Sequence, residues 1–263
     1  MNKFHNLIKR ELEDYKLLFR NIPSLTISLF FLSVVCANLM ANKELLNYKY
    51  VALDCGFVFS WIMFLCMDVI CKRWGAKASI KVSLLALFVN LSVCIIFYLL
   101  SLAPGMWGEF YSTDSIQVNN ALNKTLGGSW YVVFGSATAF IISSIVNALL
   151  NDFVGKRFSS NGFAGFALRS YTSTVIAQYV DNFIFATIVS KFFFGWSWTQ
   201  VFVCSGIGAV FELLAEVLFS GIGYKVVKNW EKENVGKEYF DYISKKARII
   251  GDENYGKDVY LRG

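Results

Sequence analysis

The chain alternates between long apolar stretches and short polar connections. A bilayer core takes about 20 apolar residues in a helix, and six stretches reach about that length. They lack the alternation of apolar and polar positions typical of barrel strands, and only helices or closed barrels satisfy their backbone in lipid. The pattern therefore predicts an all-α membrane protein, a six-transmembrane-helix bundle. The predicted spans are residues 24–41, 50–70, 79–101, 130–150, 170–189 and 201–224.

Two polar segments flank this predicted membrane domain of residues 24–224. In residues 1–23, apolar side chains recur at helical spacing between charges, which is typical of an amphipathic helix on the inner leaflet. A solvated helix packing on the loops is the alternative. Residues 225–263 predict a cytoplasmic tail. The recurring apolar residues of the first segment are Phe4, Leu7, Ile8, Leu12, Tyr15, Leu18 and Phe19.

The composition supports the membrane assignment. Of the 263 residues, 56% are hydrophobic and 17% are charged, whereas soluble domains carry about 25% charged residues. The first twenty residues lack the apolar core and cleavage site of a signal peptide. The six cysteines have no disulfide or zinc spacing, and there is one histidine. We find no hydrolase, nucleotide-binding or metalloprotease motif, so the sequence predicts no enzyme and no metal or cofactor site.

The basic residues are unevenly divided between the two sides of the predicted bundle. Of the 25 Lys and Arg residues, 21 lie in the N-terminal segment, the tail or the connections on their side. The positive-inside rule then places both termini in the cytoplasm, and an even number of spans agrees with this. The net charge of +6 reflects this topology and not nucleic-acid binding. We predict a multi-pass protein of the plasma membrane.

The predicted fifth span carries a polar stripe on one face. Ionisable groups in a membrane are costly and usually face a cavity or a partner. Gln178 offers a donor and an acceptor and Asp181 accepts two hydrogen bonds, which suits the edge of a planar, amide-like ligand. Polar contacts between helices are the alternative. The stripe comprises Arg169, Ser170, Ser173, Thr174, Ala177, Gln178, Asp181 and Asn182 and ends at Phe185.

Other spans hold further candidates. Asn147 lies on a stripe of small residues in the fourth span, a pattern that favours close helix packing. Glu212 and Glu216 are one turn apart in the sixth span, where two ionised carboxylates would repel each other. They indicate proton coupling or substrate recognition, or else pairing with a donor on another helix. The small residues of the fourth span are Gly135, Ala139 and Ser143.

The first and second spans contribute the remaining candidates. Asn38 lies inside the first span, and the flanking Ala37 and Ala41 permit close helix contact. Asp68 lies near the inner end of the second span, where a local ion pair with the following basic residues is the favoured interpretation of its charge. Trp61, about mid-span, can stack on a ring, although an aromatic residue in a membrane helix more often serves packing.

Three parts of the chain together resemble a known family. ANLMANK at 37–43 ends the first span. DVICKRWGAKAS at 68–79 is similar to the motif Asp-x-x-x-Glu-x-aromatic-Gly, with Lys72 in place of the usual Glu. GSATAFIISSIVNALLNDFVGKR at 135–157 and LRSYTSTVIAQYVDNFIF at 168–185 carry Arg, Ser, Gln, Asp and Phe in the family's order. These stretches resemble the vitamin uptake transporter family, also called the queuosine precursor transporter family.

The resemblance implies uptake of a 7-deazaguanine, a queuosine precursor or queuine, for salvage of a tRNA modification. It also implies six helices similar to the substrate-binding subunits of energy-coupling-factor transporters. Asp181 would accept hydrogen bonds from the ring and its amine, and Gln178 or Asn147 would read the carbonyl. The other expected substrate-binding residues are Asn38, Arg169, Trp61, Phe185, Tyr179 and Glu212. The residues expected to couple transport to an energy source are Glu212, Glu216 and Asp68.

Several functions stay open at this point. The chain can be an importer acting alone, or a substrate-capture subunit for another vitamin-like solute with a separate ATP-driven energy-coupling module. In the second case Ala37 and Ala41 would contact that module. An intramembrane enzyme is disfavoured because the predicted spans contain no histidine. A scaffold that does not transport would use the polar stripe for packing alone. The sequence leaves open whether the chain forms a homodimer.

Overall fold

The computed structural model of the chain describes residues 2–127, 130–157 and 162–250. Within these ranges the protein is mainly helical. A short hairpin follows the second helix, and a π-helical segment (Ala186–Lys191) follows the eighth. The elements are α1 (Asn2–Asn21), α2 (Ser24–Met40), β1 (Glu44–Tyr48), β2 (Val51–Asp54), α3 (Phe57–Trp74), α4 (Ala76–Leu102), α5 (Phe110–Thr113), α6 (Ile116–Leu126), α7 (Trp130–Arg157), α8 (Phe163–Phe185), α9 (Phe192–Phe194), α10 (Trp198–Lys232) and α11 (Lys237–Ile250).

Each predicted span overlaps a long helix, namely α2, α3, α4, α7, α8 and α10. Among the described residues, three candidates are long and apolar enough to cross a membrane: α4, the segment containing α7, and α10. A fourth arises if Glu11–Asn21 and Ser24–Met40, bent by 105°, form one broken span. Helix α3 carries three charged residues, Asp68, Lys72 and Arg73, and α8 carries Arg169, Asp181 and the polar stripe. The count of six spans stays a prediction.

The all-α prediction is wrong for the beginning of the second window. Residues Val51–Asp54 form strand β2, which pairs antiparallel with β1, and α3 begins only at Phe57. The apolar run Val51–Leu53 fits a helix or a strand equally well, because short apolar runs do not distinguish the two. The Asp54 carboxylate then accepts a hydrogen bond from the Gly56 N–H at 2.7 Å, which separates the hairpin from the helix.

Close packing of α7 against α8 and the π-helical segment forms the centre of the bundle. A Cβ at Gly135 would lie 2.4 Å from Val189 Cγ2, so glycine is required for this approach. Ala139 and Ser143 on the same face are fully buried. These contacts confirm the predicted packing stripe of the fourth span. Large apolar side chains such as Phe88 and Leu218 point outward and are 67% and 79% exposed, as expected of a surface that meets lipid.

The two ends of the described chain pack together beneath the bundle. Leu18 and Ile22 of α1 are buried in the core, and Asp14 accepts hydrogen bonds from Lys81 of α4 at 3.2 Å and Lys246 of α11 at 2.7 Å. This supports the alternative of a helix packed on the protein, and the position at the membrane surface stays a prediction. Phe4, Leu7 and Ile8 lie outside the described side chains, and residues 251–263 of the predicted tail lie outside the described residues.

Candidate functional site

A cavity of about 570 Å³ opens among the hairpin, α2, α3, α7, the end of α8, the π-helical segment and α10. A smaller cavity of about 60 Å³ adjoins it and reaches further along the helices to Asn38, Ser60 and Asp181. We call the two together the central cavity. Both parts share the same wall, formed by Ala41, Asp54, Phe57, Asn182, Phe185 and Glu212.

Two carboxylates and their partners form the polar end of the central cavity. Glu212 accepts hydrogen bonds from the Ser60 hydroxyl at 2.6 Å and from Asn182 Nδ2 at 3.1 Å. Asp181 accepts one from the Ser143 hydroxyl at 2.7 Å. Each carboxylate is therefore held in place and retains acceptor capacity for a ligand.

Four predicted site residues meet at this cavity. Asp181, Asn38, Phe185 and Glu212 all line it, although they come from three different helices. Asn38 Oδ1 accepts a hydrogen bond from the Ser136 hydroxyl of α7. The stripe of the fifth span thus reaches a cavity through its outer part, Asp181, Asn182 and Phe185.

The three residues predicted to stack on the ligand lie in different places. Phe185 lines the central cavity. Trp61 stacks on Phe219 of α10, with ring centroids 4.2 Å apart, and Tyr179 lies over Phe183 at 6.1 Å. Neither Trp61 nor Tyr179 is among the residues that line the cavity. Their stacking on the substrate stays a prediction, and in this conformation Trp61 serves packing against α10.

A second polar group lies deeper in the bundle, and we call it the inner cluster: Asp68, Asn147, Ser170, Thr174 and Glu216. Asn147 Nδ2 donates to Asp68 Oδ1 at 2.7 Å. The Ser170 hydroxyl contacts Asp68 Oδ2 and also Glu216 Oε1, the latter at 2.5 Å. Thr174 Oγ1 donates to Asp68 Oδ2 at 3.2 Å. Asn147 therefore binds Asp68 and does not reach the central cavity.

The inner cluster changes the interpretation of Asp68. Its hydrogen bonds go to α7 and α8, whereas Arg73 donates to the Val235 carbonyl at 2.8 Å and lies over the Phe240 ring. Arg169 borders the cluster from α8, and its guanidinium donates to Asn151 Oδ1 at 2.9 Å through Nε. Arg169 is thus a neighbour of the inner cluster and not a cavity residue.

Gln178 lies between the two polar regions. It follows Thr174 and precedes Asn182 by one helical turn each, and it is fully buried. Neither of its amide atoms has a hydrogen-bond partner among the described residues. Gln178 does not line the central cavity in this conformation.

The family relationship agrees with this architecture. Residues 54–227, about two thirds of the chain, match the family described as "Putative vitamin uptake transporter". The chain belongs to this family. The transporter is therefore a multi-pass membrane protein of a family described by the uptake of vitamin-type small molecules. Neither the curated proteins nor the solved structures contain a match.

Other residues line the central cavity that the sequence did not predict as site residues. Ser60, Asn182 and Asp54 lie on three elements that meet only in the folded chain. Asn182 was visible as part of the polar stripe, and one turn separates it from Gln178. Asn42 and Lys43, which end the quoted ANLMANK stretch just before β1, also line the cavity, but no periodic pattern marks them as cavity residues.

Proposed function

We propose that this transporter imports a planar nucleobase-like solute, a 7-deazaguanine such as a queuosine precursor or queuine, for salvage of a tRNA modification. One observation supports this most directly. The carboxylates Asp181 and Glu212, the amides Asn38 and Asn182, and the ring of Phe185 converge on one cavity. Its larger part, lined by Glu212, Asn182 and Phe185, has a volume of about 570 Å³, within the range of about 300–1,000 Å³ typical of small-molecule sites. Asp181 and Asn38 line the adjoining part of about 60 Å³.

The chemistry of the ligand matches these groups. A 7-deazaguanine has a flat ring and an edge on which an exocyclic amine and a ring N–H lie beside a carbonyl. A carboxylate such as Asp181 can accept from both donors, and the amide of Asn182 or Asn38 can donate to the carbonyl. Asn182 and Asn38 thus replace Gln178 and Asn147 in this role. A buried site of this kind strongly rejects ligands that lack these groups.

A thermal-shift screen of the purified protein tests the substrate class. A ligand that binds only the folded state raises the unfolding temperature. We expect stabilisation by queuine, or by its cyano or aminomethyl precursor, and not by riboflavin or thiamine. A shift with an unrelated vitamin and none with the deazaguanines would overturn the assignment.

The substitution Asp181→Asn tests the site within the same screen. It keeps the shape of the side chain but replaces an acceptor with an N–H₂ donor, while Ser143 can still donate to the amide oxygen. Loss of hydrogen bonds to a charged group costs about 1.5–3 kcal/mol, so we expect about 10–150-fold weaker binding. The control is Asp114→Asn, the same change at an exposed loop residue. Unchanged deazaguanine binding by the Asp181→Asn variant would contradict the site.

Uptake into liposomes distinguishes an importer acting alone from a capture subunit. Ala37 and Ala41, the expected contact with an energy-coupling module, instead line the central cavity, and a Cβ on Gly56 would lie 2.5 Å from the Ala37 carbonyl oxygen. The end of α2 therefore contacts the beginning of α3. We expect uptake by the purified chain without ATP. Uptake that appears only with co-purified ATPase subunits would favour the capture subunit.

A further inference from the structure

The inner cluster holds two carboxyl groups that share one hydroxyl. The Ser170 oxygen lies within hydrogen-bond distance of both Asp68 Oδ2 and Glu216 Oε1. A serine hydroxyl carries one hydrogen and can donate it to only one of the two oxygens. The second contact becomes a hydrogen bond only if a carboxyl group carries a hydrogen of its own. The arrangement therefore fits one additional proton.

Unpartnered acceptors support the same conclusion. Glu216 and Asn147 are both fully buried. Glu216 Oε2 and Asn147 Oδ1 have no hydrogen-bond partner within the part of the chain that the structure describes. Buried polar atoms are nearly always hydrogen-bonded, so the cluster has more acceptors than hydrogens. A proton on a carboxyl group supplies a donor at this place.

Charge is the third argument: with both carboxyl groups ionised, the cluster and Arg169 together would carry a net charge of −1. Asp68 and Glu216 bring two carboxyl groups, and Arg169 of α8 is the charged residue that interacts with Asp68. From α7 the cluster meets the neutral Asn147 and Asn151, while Glu212 on α10 is one turn away at the cavity. The buried residues that the structure describes on α2 and α4, which also pack on α3, are neutral. With one proton bound, the cluster and Arg169 together carry no net charge, which a membrane interior favours.

The position of the cluster connects it to the central cavity. Glu216 and Glu212 are one turn, or about 6 Å, apart on α10, and Glu212 lines the cavity. On α8, the unpartnered Gln178 lies between Thr174 of the cluster and Asn182 of the cavity wall. Movement of these helices around a bound solute would therefore reach the cluster through adjacent polar groups.

We propose that the inner cluster is the proton-binding site that couples uptake to a proton gradient. In this step an external proton forms an O–H bond with a carboxylate oxygen of Asp68 or Glu216, and that bond breaks when the proton is released into the cytoplasm. No other bond changes and no electron is transferred. The coupling, although not the proton binding, rests on the proposed uptake of a deazaguanine through the central cavity.

Infrared difference spectroscopy of the purified protein tests proton binding without any substrate. We expect a protonated-carboxyl band in the wild type, distinct from any contribution of Asp181 and Glu212 in the cavity, that is lost in both Asp68→Asn and Glu216→Gln. Either substitution leaves one carboxylate whose charge balances Arg169, so the remaining carboxyl group ionises. A role in packing alone would not remove the band from both variants. Absence of the band from the wild type, or its persistence in both variants, would overturn the proposal.

Transport in proteoliposomes tests coupling. The probe is radiolabelled 7-cyano-7-deazaguanine, with the membrane potential clamped by valinomycin and equal potassium. With acid outside, one-to-one coupling sustains up to about tenfold accumulation per pH unit, because a tenfold ratio corresponds to about 1.4 kcal/mol. We expect Glu216→Gln and Asp68→Asn to abolish accumulation but to keep exchange of labelled for unlabelled probe. The control, Glu109→Gln in an exposed external segment, should accumulate the probe like the wild type.

The exchange reaction separates the two proposals. Exchange by the wild type without proton-driven accumulation, or accumulation that follows a sodium gradient instead, would overturn the coupling role. Accumulation by both variants at the wild-type level would do the same. If the wild type shows no exchange of the probe at all, the substrate assignment fails, and the infrared band still decides whether the cluster binds a proton.

Discussion

Individual side chains of this transporter have different roles even when they belong to one chemical type. Phe185 and Trp61 are both aromatic residues within the bundle. Phe185 lines both parts of the central cavity, whereas the Trp61 indole stacks on Phe219, with the ring planes 15° from parallel. A flat ligand in the cavity can therefore reach Phe185 but would have to displace Phe219 to stack on Trp61.

Replacing each of these rings by leucine tests this difference. Aromatic stacking contributes about 0.5–1.5 kcal/mol beyond the buried area, so Phe185→Leu should weaken deazaguanine binding by about 2–13-fold. Trp61→Leu should leave the dissociation constant unchanged, although it lowers the unfolding temperature because a packed ring is lost. Titrations of labelled ligand against both variants provide the measurement. The reverse order of effects would place the ligand against α3 and α10.

At the scale of secondary-structure elements, the hairpin and the π-helical segment shape the cavity. The β2 residues Ala52 to Asp54 and the π-helical residues Ala186, Val189 and Ser190 all line it. Short π-helical segments occur frequently at functional sites because they disturb the regular hydrogen bonding of a helix. The hairpin is positioned by Gly56, where α3 begins against the last turn of α2.

Substituting Gly56 by alanine should disturb both stability and binding. The added Cβ would lie 2.5 Å from the Ala37 carbonyl oxygen and 2.8 Å from the Asp54 carboxylate, so the hairpin must shift. Overpacking costs about 1–3 kcal/mol, and Asp54 moves with the hairpin. Gly221→Ala on α10 is the matched control, because nothing lies within 4 Å of the added Cβ. Thermal unfolding and ligand titration give the comparison, and equal behaviour of the two variants would contradict this account of the hairpin.

At the scale of the whole molecule, α1, α4 and α11 close one end of the bundle. Asp14 is buried and bonds with both Lys81 and Lys246. A second contact between α1 and α11 joins Arg20 and Glu238 across 3.9 Å, with both side chains largely exposed. The two ends of the described chain therefore lie together on one side, as an even number of spans requires.

The buried ion pairs of Asp14 and the exposed Arg20–Glu238 pair should contribute very differently to stability. Asp14→Asn removes the buried carboxylate that Lys81 and Lys246 share and leaves them only the more exposed Glu11. Breaking a buried pair costs about 3–5 kcal/mol. Glu238→Gln removes an exposed pair, which is worth about 0–1 kcal/mol. We expect Asp14→Asn to lower the unfolding temperature clearly and Glu238→Gln to change it little. Similar shifts for both variants would show that the buried network does not hold this end together.

Local features of the sequence predicted the helices well. Apolar runs located six long helices, and the four-residue spacing in the fifth span identified a polar face that includes Asp181 and Phe185 of the cavity. The small residues of the fourth span predicted its close packing. These features follow from the helical period, which depends only on neighbouring residues. The sequence did not predict the hairpin, because a short apolar run such as Val51–Leu53 fits a strand as well as a helix.

The sequence by itself determined the membrane class, the positions of the long helices and the face of α8 that is polar. Only the tertiary structure decided how that face is divided, with Asp181 at the central cavity and Ser170 at the inner cluster. It also assigned Glu212 and Glu216, one turn apart on α10, to these two different places. The physical reason is that helical spacing shows which residues share a face, whereas the packing of other helices decides which partners each residue meets.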